Sequence, residues 1–349
     1  MNKMGIIEGF FGPQWPNTAR ESYADFLSRY GGDFYIYAPK QDSLLRKKWR
    51  DPWETDYVEF LRRLKKVFQL HQIKFGVGFS PFGLGASLLA SDIGHLKLKL
   101  NILNDLQIDL LGLFFDDMPT NEFLAKTQIA ALEVIRQSFQ GKIIFCPSYY
   151  TPDPILDKVF GQRPTNYLED IANGVPEEVS IAWTGPQVIS SEITSEHLSE
   201  TAAILKRKPF LWENIFANDG PRNCKFLKMR NYTGRSPESL EKAEGLGLNM
   251  MNQPELSKIL YLSSRLVLRG ESDPEKAFED ALSSLASPGF KDFILLNRDK
   301  FLNQGFDSIS DEEKSQLIQE LHFFADPGAI EISDWLQGKY NVGSECLTD

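Results

Sequence analysis

Eight short apolar runs, spaced roughly 30 to 40 residues apart, constrain this chain more than any other feature. They are MGIIEGF from Met4, FYIYAP from Phe34, KFGVGFSP from Lys74, LLGLFFDD from Leu110, KIIFCPSYY from Lys142, EVSIAWTG from Glu178, KPFLWENI from Lys208 and GLGLNMM from Gly245. Near-continuous apolar runs suit strands covered on both faces, which means parallel strands joined by helical crossovers. The intervals read as those helices. ETDYVEFLRRLKKVFQLHQ puts Tyr57, Leu61, Leu64 and Phe68 on one face at spacings of three and four. SSEITSEHLSETAAILKR opens on capping residues and closes on a basic turn. Eight such units in about 270 residues is the count of a TIM (β/α)8 barrel, an α/β fold. An open doubly wound sheet is the alternative, but no GxGxxG follows the first run.

From about Glu271 the pattern changes. DPEKAFEDALSSLA, FKDFILLNRDKFL, SDEEKSQLIQELHFFAD and GAIEISDWLQGKY read as short helices punctuated by Pro, Gly and Asp. The expectation is a barrel over residues 1–270 and a C-terminal helical extension over 271–349 packed on it.

Several classes of function fall away. A net charge of −10 argues against a nucleic-acid partner, whose phosphates need Lys and Arg. Cys146, Cys224 and Cys346 are too few and too scattered for a disulfide framework or a thiolate metal site, and Cys146 reads as a buried thiol. His71, His95, His197 and His322 all fall in helical intervals, so neither a zinc site nor a Ser-His-Asp triad is expected. No GxxxxGK[ST] is present, and no cofactor or metal is expected. No run approaches the roughly 18 apolar residues of a membrane span, and the first residues do not resemble a signal peptide. The expectation is a cytoplasmic protein without a membrane partner; its oligomeric state has no signature in the sequence.

In a barrel of this kind the reactive groups gather at the C-terminal ends of the strands. Those ends hold Glu8-Gly9-Phe10-Phe11, Ala38-Pro39-Lys40, Asp116-Asp117, Ser148-Tyr149-Tyr150, Trp183-Thr184, Trp212-Glu213-Asn214 with Asn218-Asp219 behind, and Asn249 to Asn252. Aromatic faces among amides and carboxylates suit a sugar ring, which stacks its C–H faces and needs many partners for its hydroxyls. With no imidazole, metal or cofactor expected, carboxylate chemistry remains, and hydrolysis of a glycosidic bond leads that class.

Asp116 and Asp117 are the sharpest candidates. Alternation along a strand would turn adjacent side chains to opposite faces. Where the strand breaks into a loop, both can still face one cavity at different heights. Two carboxylates behind aromatic walls cannot both ionise cheaply, so one is pushed up and can hold a proton near neutral pH. They are too close to flank a bond as acid and nucleophile, which leaves room for substrate assistance by a 2-acetamido group. The alternative is that the pair merely caps the following helix, TNEFLAKTQIAALEVI.

Taken together, EGFFGPQW, YIYAPK, FFDD, WTG, WENIFAND and NMMNQPE resemble, in this order, glycoside hydrolase family 84. That family holds protein O-GlcNAcases and bacterial β-N-acetylglucosaminidases, some of them labelled hyaluronidases. The resemblance spans about residues 4 to 265 and seven of the eight strand ends. It implies a retaining exo-β-N-acetylglucosaminidase acting through an oxazoline intermediate on glycans or glycoproteins. Asp116 would orient the acetamido group, and Asp117 would be general acid and then general base. Tyr150 and Asn214 would hold the acetamido region. Gly9, by its backbone, and Lys40 would hold ring hydroxyls, and Asp219 and Asn252 the far, non-reducing edge. Thr184 and Trp212 would wall the N-acetyl methyl.

The chain departs from the family pattern at Phe11, at Pro13-Gln14, at Gln41, at Leu45 and in FLKMRNYTGR after the seventh run. A non-hydrolytic N-acetylglucosamine binder and an endo-acting hyaluronidase are the alternatives. The intact Asp pair weighs against the first, and the predicted closed end at Asp219 and Asn252 against the second.

Overall fold

The computed structural model describes residues 3–348. Each apolar run forms one strand: β1 (Lys3–Glu8), β2 (Phe34–Tyr37), β3 (Lys74–Phe79), β4 (Leu110–Phe114), β5 (Lys142–Cys146), β6 (Ser180–Trp183), β7 (Phe210–Glu213) and β8 (Gly245–Asn249). The strands pair in chain order, all parallel, and β8 closes on β1 to complete the barrel. The crossovers carry α1 (Asn17–Arg29), α2 (Thr55–Leu70), α3 (Ala90–Asp105), α4 (Leu124–Ser138), α5 (Ile155–Phe160), α6 (Tyr167–Gly174), α7 (Ser195–Leu205), α8 (Pro237–Leu240) and α9 (Pro254–Leu268). The capping residue expected before α7 is Thr194, whose hydroxyl accepts the His197 N–H.

The β7–β8 crossover breaks the pattern. It holds only a 3-10 turn at Asn223–Lys225 and the single turn of α8. Four helices follow the barrel, α10 (Pro274–Leu285), α11 (Pro288–Asp299), α12 (Asp311–Leu321) and α13 (Pro327–Leu336), and α11 and α13 support this crossover. Trp335 Nε1 donates to the Cys224 carbonyl at 2.9 Å, and Arg298 donates to the Met229 carbonyl at 2.7 Å and to Asn231 at 2.6 Å. The terminal helices therefore hold the backbone of the irregular loop that a regular crossover helix would otherwise stiffen.

Alternation sorts the strand ends. One parity fills the barrel: the Phe114 ring meets Trp212 edge-on at 4.7 Å, and a Cβ on Gly112 would strike Phe114. The other parity faces the helices, where two of the polar ends are spent. Glu8, fully buried, accepts from Arg20 of α1 at 2.7 and 2.9 Å and from the Tyr35 hydroxyl. Glu213, also fully buried, accepts from Arg235 at 2.6 and 2.9 Å. Arg235 further donates to the carbonyls of Ser190 and Ser191, tying β7 to the loop after β6.

Removing one partner of such a pair leaves a buried charge without compensation. Arg235→Ala is expected to lower unfolding free energy by about 3–5 kcal/mol, read by denaturant titration. Replacing both Glu213 and Arg235 by apolar residues should cost less than the single change.

Candidate active site

The inward parity reaches the C-terminal mouth as a cavity lined by Gly9, Lys40, Asp116, Asp117, Tyr150, Thr184, Trp212, Asn214 and Asp219. Every residue that the family resemblance gives a role lies there except Asn252. That side chain sits one layer back, where its amide donates to the carbonyls of Phe11 at 2.9 Å and Pro13 at 3.3 Å. Both Nδ2 protons fix the loop after β1, while Oδ1 is buried and has no hydrogen-bond partner among the described residues.

The same parity corrects the list of mouth groups. Glu8 and Glu213 were expected there and instead form the buried ion pairs described above. Trp183 turns to the helix layer, where Nε1 donates to His197 Nε2 at 3.1 Å. Tyr149 donates to the Gly161 carbonyl and packs edge-on to Tyr167. Their neighbours Thr184 and Tyr150 face the cavity in their place.

At the end of β4 the chain escapes alternation. Asp116 continues the inward row of Gly112 and Phe114. Asp117 would point away, but its φ of 55° puts it in the left-handed region and turns the backbone, so both carboxylates reach one cavity. Asp and Asn tolerate this conformation better than most non-glycine residues. Arg46 supports it, donating to the Asp117 carbonyl at 3.3 Å while its guanidinium lies over the rings of Phe11 and Phe82. The loop that carries Lys40 and Arg46 is organised by buried Asp42, which accepts from the Tyr37 and Tyr57 hydroxyls at 2.7 Å each and from the Leu44 N–H. Helix capping is not the pair's role: α4 starts only at Leu124, with Phe123 at its N-cap.

The two carboxylates have different surroundings. Lys40 Nζ donates to Asp116 Oδ2. Asp116 Oδ1 is enclosed and has no hydrogen-bond partner among the described residues. Asp117 Oδ1 accepts from the Tyr150 hydroxyl at 3.2 Å. Burial, then the Asp116 charge, pushes the Asp117 carboxyl above the usual range, and Lys40, Arg46 and Tyr150 offset only part of that rise. Asp219 is pushed up to about 6, mainly by burial, although its Oδ2 accepts the Phe11 N–H at 2.8 Å.

A relay of amides builds the opposite wall. The Gly9 N–H donates to Asn249 Oδ1 at 3.3 Å, Asn249 Nδ2 to Asn214 Oδ1 at 2.9 Å, and Asn214 Nδ2 to the Val188 carbonyl at 2.9 Å. The Gly9 N–H is thereby engaged, so only its carbonyl can serve a ligand. Lys40 lies 5.8 Å over the Trp212 ring. Cys146, the buried thiol, lies among the lining residues; burial, then Asp116, holds its thiol well above its usual range.

Sequence reasoning missed Val188, Ile189, Ala217, Asn223, Cys346 and Thr348, which also line the cavity. The Val-Ile pair in an otherwise polar loop after β6 was the one available signal. The departures from the family pattern lie around the carboxylates rather than among them. Gln14 accepts from Arg20, Gln41 donates to Glu345, and Leu45 is buried with its carbonyl accepting the Ser80 N–H. Among the described residues no cluster of His, Cys, Asp and Glu could hold a metal, and no helix is long and apolar enough to cross a membrane.

A closed parallel barrel with a carboxylate pair at its C-terminal mouth is the layout of the barrel glycoside hydrolases. Within that class the chain belongs to the beta-N-acetylglucosaminidase family, whose model matches residues 4–296. It is similar to the protein O-GlcNAcases of Rattus norvegicus and Mus musculus, each 30% identical over 257 residues, covering 70% of this chain. The match spans only 27% of the length of those relatives. An aspartate-to-asparagine mutant of the O-GlcNAc hydrolase of Thermobaculum terrenum superposes with a TM-score of 0.80 at 25% identity, over 97% of this chain and 81% of that one.

The relation of Gly9 to Trp212 gives a direct test. A Cβ on Gly9 would lie 2.5 Å from Trp212 Cζ2, so the ring must move. Gly9→Ala is expected to destabilise the fold by about 1–3 kcal/mol and to change the near-ultraviolet dichroism of the displaced indole.

Proposed function

We propose that this site hydrolyses terminal β-linked N-acetylglucosamine with retention, using the substrate's own acetamido group as nucleophile. The observation that carries the proposal is the asymmetry of the aspartates. Asp116 Oδ2 is taken by Lys40 while Oδ1, buried and unpartnered, is left to accept one donor. An acetamido N–H is such a donor. Asp117 is the carboxyl pushed up, as a general acid at near-neutral pH must be.

In the first step the acetamido oxygen attacks the anomeric carbon as the bond to the leaving oxygen breaks. The Asp117 proton passes to that oxygen, and Asp116 stabilises the positive charge that develops on the amide nitrogen. In the second step Asp117, now a carboxylate, takes a proton from water as the water oxygen bonds to the anomeric carbon and that carbon's bond to the acetamido oxygen breaks, which restores the acetamide. Tyr150 and Asn214 flank the acetamido group, and Thr184 and Trp212 wall its methyl. Lys40, the Gly9 carbonyl and Asp219 meet the ring hydroxyls, while Asn252 acts indirectly by holding the Phe11 loop. The substrate class is a glycan or glycoprotein with exposed N-acetylglucosamine; the name of the mammalian relatives, protein O-GlcNAcase, supports the glycoprotein. The site needs no cofactor for this chemistry.

Three measurements test the reading. Nitrophenyl N-acetylglucosaminide should be cleaved and the matching glucoside should not, and equal rates on both would remove the mechanism. Asp117→Asn should lose about 10²–10⁴-fold in kcat for poor leaving groups and less for good ones. Asp116→Asn should lose turnover for both, because intermediate stabilisation does not depend on leaving-group protonation. The pH profile supplies the third: kcat should fall as pH rises through the raised Asp117 value. Tyr150 lowers that value by hydrogen bonding to the ionised form, so Tyr150→Phe should move the alkaline limb to higher pH.

A further inference from the structure

Beyond α13 the chain leaves the helical region and returns to the barrel mouth. Val342 and Cys346 form a small apolar cluster with Phe11 and Cys224, apart from the main core. Between them Glu345 accepts from Lys47 Nζ at 2.8 Å and from Gln41 Nε2 at 3.2 Å. Cys346 and Thr348 then reach the cavity itself. The segment is thus anchored on the loops after β7, β1 and β2, along the arc of the closed barrel that runs β7-β8-β1-β2.

The proton donor follows another part of the barrel: Asp117 comes after β4 and Tyr150 after β5, so a leaving group protonated by Asp117 departs there, and the β2 loop reaches that side through Arg46, which donates to the Asp117 carbonyl. The segment rests instead on Phe11, whose N–H holds Asp219, and on the loop that carries Asp219. On the reading given under Proposed function, that quadrant faces the end of the sugar away from the scissile bond.

We propose that residues 342–348 form a strap that walls off the non-reducing side of the pocket and restricts it to unsubstituted terminal N-acetylglucosamine. A groove open at that side would admit a sugar attached at O4; the strap makes the groove a pocket. The residue types fit this role. Val342 and Cys346 supply apolar contact with Phe11 and Cys224, and Glu345 supplies a latch to the β2 loop at Gln41 and Lys47. The latch itself is an exposed pair worth little alone, so the apolar contact must be removed with it to release the strap.

The test uses the full chain with Val342→Asp and Glu345→Ala combined. Two substrates are compared: 4-nitrophenyl N-acetylglucosaminide, and 4-nitrophenyl N-acetyllactosaminide, whose N-acetylglucosamine carries galactose on O4. The expected result is at least a tenfold gain on the lactosaminide, with the simple glycoside changed by less than about threefold. Calorimetric titration with the methyl glycoside of N-acetyllactosamine provides a readout that needs no turnover, and the variant should bind it more tightly than the parent does. A variant that gains neither binding nor cleavage of the substituted sugar overturns the strap. If the parent cleaves neither nitrophenyl substrate, the hydrolytic reading fails, and the calorimetric comparison still decides the strap.

Discussion

Alternation of side chains along a strand is the constraint on which this structure depends. Each strand end of the barrel offers neighbouring polar or aromatic residues, and parity selects which of them meets the cavity. Gly9, Thr184, Asn214 and Tyr150 are selected, while Glu8, Trp183, Glu213 and Tyr149 are sent to the helices. The rejected residues are not idle. Two of them are carboxylates that brace the barrel from outside through arginines, so one set of strand ends supplies both the rigidity and the chemistry.

The exception is the catalytic candidate pair. Two adjacent residues can share a cavity only if the backbone leaves the extended conformation between them, and the left-handed Asp117 does so. Holding a non-glycine residue there requires support, which Arg46 gives from the β2 loop. The same loop supplies Lys40 to Asp116. One segment after β2 thus sets both the geometry of the pair and its asymmetry, one carboxylate beside a cation and the other pushed toward its protonated form.

The C-terminal residues take part in the site at one remove. Their helices hold the irregular β7–β8 loop, which carries Asp219, and the segment beyond them enters the cavity. At the one crossover without a long helix, such a buttress takes that helix's place.

Much of this was legible in the sequence. The eight apolar runs fall on the eight strands, since buried parallel strands leave a continuous apolar signal that helix and loop segments do not. The strand-end motifs hold many of the cavity residues, Lys40, Asp116, Asp117, Tyr150, Thr184 and Asn214 among them. What the sequence could not decide was orientation. Glu8 and Gly9 read alike as strand-end residues, and nothing local to Asn252 shows that its Nδ2 is spent on the Phe11 and Pro13 carbonyls. Nor could local pattern place Cys346 and Thr348 beside Asp219, more than a hundred residues earlier. Local periodicity reports how a segment is buried and therefore fixes element type. Which polar group is spent on structure and which is left for a ligand depends on partners distant in the chain, and only the closed barrel brings those together.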